Sequence, residues 1–182
     1  MFKFLAALIV AIAIGAGAYV YRDVLLGQPN QQVLPRGSPT RLLGERVPGF
    51  TLPGLVGPGF QTRDLLRSGV PRVVKFWGPW SPACILEYPL LNELRAAGVE
   101  MWGIMFRDTR TNGLDYLERN GNPYARVAHD VAGRVASDWA VTATPSTFVV
   151  DGEGIVRWHR AGPWTAQIIE RELMPVLQRY SP

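Results

Sequence analysis

The chain has 182 residues, a length that suits one compact domain plus an appendage and excludes two full domains. Apolar residues make up 47% of it, an ordinary share for a protein with a sizeable core. The net charge of +4 comes from scattered arginines rather than from Lys/Arg runs, so no nucleic-acid partner is expected.

The first element is an uncharged run from Phe4 to Tyr21, preceded by Lys3 and followed by Arg22. It is close to the ~18–20 residues that cross a bilayer as helix. Ala16-Gly17-Ala18 resembles a signal-peptide cleavage site, but the run continues through Tyr19, Val20 and Tyr21, past a usual signal core. The expectation is an anchor over residues 1–22, with a cleaved signal sequence as the alternative. Lys3 places the amino terminus on the cytoplasmic side and the remainder outside. Residues 23–41, which include GQPNQQVLPRGSPT, are too polar and too rich in Pro and Gly to bury a core. They read as a flexible tether, and the folded domain is expected over 42–182.

Within that domain, Val70 to Trp77 is a β-branched and aromatic run bounded by Pro and Gly, hence a buried strand. Ser81 to Ala97 has helical periodicity. Val99 to Phe106 predicts a second strand, Asn112 to Arg119 a second helix and Ala132 to Trp139 a short one. Thr147 to Val150 and Ile155 to His159 predict two strands joined by Asp151-Gly152-Glu153-Gly154, a strong hairpin signal. Trp164 to Gln178 predicts a closing helix. Strand–helix–strand units followed by a hairpin and a helix imply a mixed sheet with helices on both faces, an α/β fold.

The chemistry gathers in FWGPWSPACILEYP, residues 76–89, around the chain's one cysteine, Cys84. A single cysteine excludes an intramolecular disulfide. Ser81 followed by Pro82 is a competent helix start, because serine is a preferred N-cap and proline is favoured at the next position. Glu87 lies three residues beyond Cys84, on the same helical face as Cys84 and Ser81. His129 and His159 are far apart and lack neighbours at ligand spacing, so they read as surface or structural residues, with no metal site and no cofactor.

The stretches VVKFWGPWSPACILEYPLL, GVEMWGIMFRDTR, GNPYARVAHDVAGRVASDWAV and TPSTFVVDGEGIVRWHRAGP resemble the membrane-tethered, thioredoxin-like reductases of cytochrome c maturation, the CcmG/DsbE family. The resemblance runs from about Leu43 to the carboxyl end. It implies a thioredoxin-like fold preceded by a transmembrane helix. In that family Trp-Cys-Pro-x-Cys opens the first long helix, followed by a Glu and a cis-proline loop. Trp80, Pro82, Cys84, Glu87 and Pro145 match these positions. Ser81 stands in the place of the attacking cysteine, and Ser146 stands where the family commonly has Glu.

What the resemblance implies follows position by position. Cys84 is the resolving thiol, and Glu87 belongs to the active-site surroundings as a proton acceptor for it. The loop at Pro145 faces the redox pair and offers backbone groups to an extended peptide. Trp80, Pro82, Thr144 and Ser146 flank the substrate. The implied partners are apocytochrome c, an upstream membrane thiol reductant and other cytochrome c maturation proteins. The implied location is the bacterial inner membrane, single-pass, with the domain in the periplasm. As written, the chain lacks the sulfur needed to begin a dithiol cycle. Engineered replacement of the cysteine and natural loss of catalysis both account for that. Two alternatives stand beside the reductase. One is a non-catalytic binding module of the same fold. The other is a one-cysteine thiol peroxidase, because Ser81-x-x-Cys84 resembles a peroxiredoxin motif, although Trp77 stands where that motif has proline.

Overall fold

A computed structural model describes residues 40–66 and 69–182. The anchor Phe4–Tyr21 and nearly all of the tether lie outside the described residues, among which no helix is long and apolar enough to cross a membrane.

The domain is built on a six-stranded sheet. In chain order its strands are β2 (Gly54–Val56), β4 (Arg72–Trp77), β5 (Met101–Phe106), β6 (Arg126–Asp130), β7 (Ser146–Val150) and β8 (Val156–Ala161). The spatial order is β2-β6-β5-β4-β7-β8. Strands β4, β5 and β6 run parallel, while β2, β7 and β8 pair antiparallel, so the sheet is mixed. A small antiparallel pair, β1 (Thr51–Leu52) and β3 (Phe60–Gln61), leads into a short helix α1 (Thr62–Leu66).

The two-residue period of the strands sorts side chains between two cores. Val73 and Trp77 of β4 face helix α2 (Pro82–Ala96), helix α3 (Arg110–Asn120) and the carboxyl-terminal helix α5 (residues 166–180). Val74 and Phe76 face the other way, onto α1, the short helix α4 (Arg134–Asp138) and the segment around Phe50. Helix α5 runs through Ala166–Ile168, a π-helical turn Ile169–Leu173 and Met174–Tyr180. Aromatic rings dominate both cores: Phe76 meets Phe106, Trp139 and Phe148, and Trp77 stacks on Tyr124 at 5.6 Å. Burying each such ring contributes about 1.5–3 kcal/mol.

The predicted strands and helices are present, with ends shifted by a few residues. The hairpin forms as expected: Asp151 Oδ1 accepts from the backbone N–H of Glu153 and of Ile155, and Gly154 takes the positive φ of 82° that the turn requires. One correction concerns Trp164, expected as the first residue of the last helix. It lies outside α5, whose N-cap is Thr165, and its indole is buried against the sheet. The strands β1, β2, β3 and β6 and the helix α1 were not expected at all.

Candidate active site

Helix α2 begins where strand β4 ends, after the turn Gly78-Pro79-Trp80. Pro82 occupies its first turn, where the missing N–H costs nothing. Cys84, Glu87, Tyr88, Leu91 and Leu94 then form the buried stripe. Pro89 sits on the exposed face, so the ladder hydrogen bond it removes is lost on the water side.

Ser81 is the N-cap by position, but its side chain does not cap the helix. Its hydroxyl instead donates to the carbonyl oxygen of Thr144 at 3.2 Å, 63 residues away in sequence. This corrects the capping expectation. The nearby loop offers a part-buried acceptor, and the hydroxyl serves it in preference to the helix end. The Thr144–Pro145 peptide bond is cis, as the resemblance implies. Gly162 N–H donates to the Pro145 carbonyl at 2.8 Å, tying the loop to the strand β8 side.

Cys84 lies one turn further in and is 2% exposed. Burial pushes its thiol above the ordinary range. A backbone hydrogen bond from Gly78 pulls the other way, toward the thiolate.

Glu87 is buried rather than solvated, and it has a partner that sequence reading missed. Lys75, in the middle of β4, is fully buried and places Nζ 3.1 Å from Glu87 Oε2. Oε1 lies 3.0 Å from the same Nζ but off the line of a hydrogen bond, and has no hydrogen-bond partner of its own. Lys75 also donates to Thr147 Oγ1 at 3.0 Å and lies 4.1 Å from the ring centroid of Trp164. Trp164 N–H donates to Glu87 Oε2 at 2.9 Å. Burial lowers the Lys75 ammonium and raises the Glu87 carboxyl, and each charge opposes the other's shift.

Outside this buried layer lies a cleft of about 300 Å³. Trp80, Ser81, Pro82, Phe106, Arg107 and residues 141–144 line it. Trp80 is 50% exposed and meets Phe106 edge-on at 6.0 Å. Ile85 and Leu86, 49% and 79% exposed, extend the apolar rim along α2. Of the expected substrate-flanking residues, Trp80, Pro82 and Thr144 line the cleft. Ser146 is buried at the start of β7, off the cleft wall, and its hydroxyl has no hydrogen-bond partner. His129 and His159 are both buried, so neither is a surface residue, and His129 Nε2 bonds the Asp108 carbonyl oxygen at 2.9 Å.

The comparisons agree with this geometry. Residues 43–159 match the AhpC/TSA family. The thiol:disulfide interchange protein DsbE of Xylella fastidiosa is 43% identical over 137 residues, covering 75% of this chain and 70% of that protein. The DsbE of Escherichia coli is 36% identical over 148 residues, covering 81% and 80%. The chain belongs to the DsbE family of thiol:disulfide interchange proteins. Among solved structures, a secreted Mycobacterium tuberculosis disulfide oxidoreductase homologous to Escherichia coli DsbE is similar, with a TM-score of 0.59 and 25% identity, covering 71% of this chain and 95% of that one.

As a DsbE-family domain, the fold presents position 81 at the junction of a helix start and the cis-proline loop. A thiolate placed there would receive unpaired helix N–H groups and the helix dipole. Serine cannot form a sulfur–sulfur bond, so the one thiol of this DsbE-family chain is Cys84, buried one turn into α2. The buried Lys75 was the missed member of the site. Its signal was a lone lysine inside a run of β-branched and aromatic residues.

Proposed function

We propose that this chain is a membrane-tethered reductase of apocytochrome c in which the attacking cysteine is replaced by Ser81. The domain stands in the periplasm, held to the inner membrane by Phe4–Tyr21, and draws electrons from an upstream membrane thiol reductant alongside other cytochrome c maturation proteins. The observation that carries the reading is the 3.2 Å contact from Ser81 Oγ to the Thr144 carbonyl. It sets position 81 directly against the loop that an extended substrate would follow.

With a cysteine at 81, the cycle balances. The thiolate at 81 attacks one sulfur of the substrate disulfide, a mixed disulfide forms, and the second substrate sulfur leaves as thiolate. Cys84, deprotonated to an acceptor such as Glu87, then attacks the sulfur at 81 and releases the reduced substrate. The 81–84 disulfide is returned to two thiols by a two-electron dithiol donor. With serine at 81 the first bond cannot form, and the domain is left as a binding module for the cysteine-bearing peptide.

The test is a disulfide-reduction assay on the chain and on Ser81→Cys. The unmodified chain should be inactive and Ser81→Cys active. Equal activity in the two proteins, or an inert Ser81→Cys, would overturn the proposal.

A further inference from the structure

We infer that Arg107 makes the cleft selective for an extended peptide carrying an acidic residue close to its cysteine. The inference rests on the peptide-binding reading above and names the chemistry of the peptide.

Arg107 follows the last residue of β5 and lines the cleft together with Trp80, Pro82, Phe106 and Thr144. It takes a positive φ of 55°, a conformation a bulky non-glycine residue rarely adopts. The fold retains that conformation at the point where the chain leaves β5 beside the cleft. Two contacts hold the residue there. The Arg107 N–H donates to the Asp130 carbonyl at 3.3 Å, and the side chain crosses the bare backbone of Gly133. A methyl group at Gly133 would stand 2.7 Å from Arg107 Nε and 3.0 Å from Cγ, so the glycine makes room for the stem. The guanidinium also lies 6.0 Å from the Phe106 ring.

Arg107 is exposed, and among the described residues no carboxylate lies within ion-pair distance of it. The adjacent Asp108 is spent on α3, its Oδ1 accepting from Thr109 N–H and Asn112 Nδ2. Asp138 of the neighbouring α4 faces Arg134. The cleft is therefore apolar along Trp80, Pro82, Phe106 and Ala143, with one exposed cation among its lining residues that has no ion-pair partner among the described residues. A peptide that puts an apolar side chain beside its cysteine, and a carboxylate one or two residues further on, complements both features. A planar guanidinium suits a carboxylate because it donates two parallel hydrogen bonds.

The experiment measures binding of labelled nine-residue peptides by fluorescence anisotropy, to the full chain under reducing conditions that keep Cys84 from forming disulfides. Each peptide has a central cysteine with a flanking leucine, and Asp, Asn or Lys two residues from the cysteine. The Asp peptide should bind about three- to tenfold tighter than the Asn peptide, with the advantage falling as salt rises. Arg107→Gln should erase the difference, Arg107→Lys should keep part of it, and Arg107→Glu should invert the preference toward the Lys peptide. Arg107 is at the surface, so these variants leave the core intact. Equal binding of the three peptides to the unmodified chain overturns the role of Arg107 and leaves the peptide cleft standing. Failure of every peptide to bind overturns the inference and the peptide-binding reading together.

Discussion

The ammonium of Lys75 lies 3.0 and 3.1 Å from the two carboxylate oxygens of Glu87, and neither side chain is reached by solvent. Removing one partner would leave an uncompensated buried charge. Lys75→Met and Glu87→Leu should each cost about 3–5 kcal/mol, and the two combined should cost clearly less than the sum. Urea titration of the four proteins measures this. Additive losses would mean the pair is not a unit.

The Cys84 thiol should titrate above its ordinary value of 9.0, because burial opposes the thiolate. The folded-state value lies above the unfolded one, so the contribution to stability is fully present below the unfolded value and lost as pH rises through the folded one. Iodoacetamide alkylation of the folded chain should keep accelerating at pH values where the urea-unfolded chain has levelled off. A plateau near neutral pH, or fast consumption of peroxide that vanishes in Cys84→Ser, would favour the one-cysteine peroxidase instead.

Asp151 holds the β7–β8 hairpin through two backbone N–H groups and the Arg157 guanidinium. Burial alone would raise its carboxyl, but the bonds from Ile155, Arg157 and Glu153 together hold it below the ordinary 3.8. The sign is that of a depressed acid: its stabilisation is present above the unfolded value and is lost as pH falls through the folded one. Asp151→Asn should cost about 1–3 kcal/mol at pH 7 and much less near pH 2, read from thermal melts at both pH values.

Phe4–Tyr21 should remain in the mature protein. Amino-terminal sequencing of membrane-extracted material is expected to begin before Phe4, and a mature terminus just after Ala18 would refute the anchor.

The sequence carried the parallel units and the hairpin because VVKFW, MWGIMF and STFVV are apolar runs that have no stable place except a sheet interior. Strand β6, RVAHD, is different. Three of its five residues are polar, and it is buried because the fold supplies their partners: Asp108 for His129, and the α4 backbone for Asp130, whose Oδ2 accepts from Ala136 N–H. Partners of that kind are invisible in a linear chain. The same holds for Lys75, whose carboxylate is twelve residues away on α2 and whose aromatic cover comes from Trp164. Ser81 misled for a related reason. Local rules assign its hydroxyl to the helix that it starts, but the competing acceptor at Thr144 arrives only when the sheet closes. Within the site, Trp80, Cys84 and Pro145 were legible through the family motif. Arg107 lay inside a matched stretch but carried no signal of its own, because its place at the cleft is visible only in the folded chain.

Gly162 and Trp164 stand two residues apart, yet the first fastens the Pro145 loop and the second fastens the buried carboxylate of α2. Mechanically, this turn is a rivet through two plates, the loop wall outside and the helix behind it. A single cut in the chain here, with α5 still packed in its core, would leave the sheet whole and let both plates slide. On the peptide-binding proposal, damage of that kind would first appear as a weaker hold on the peptide.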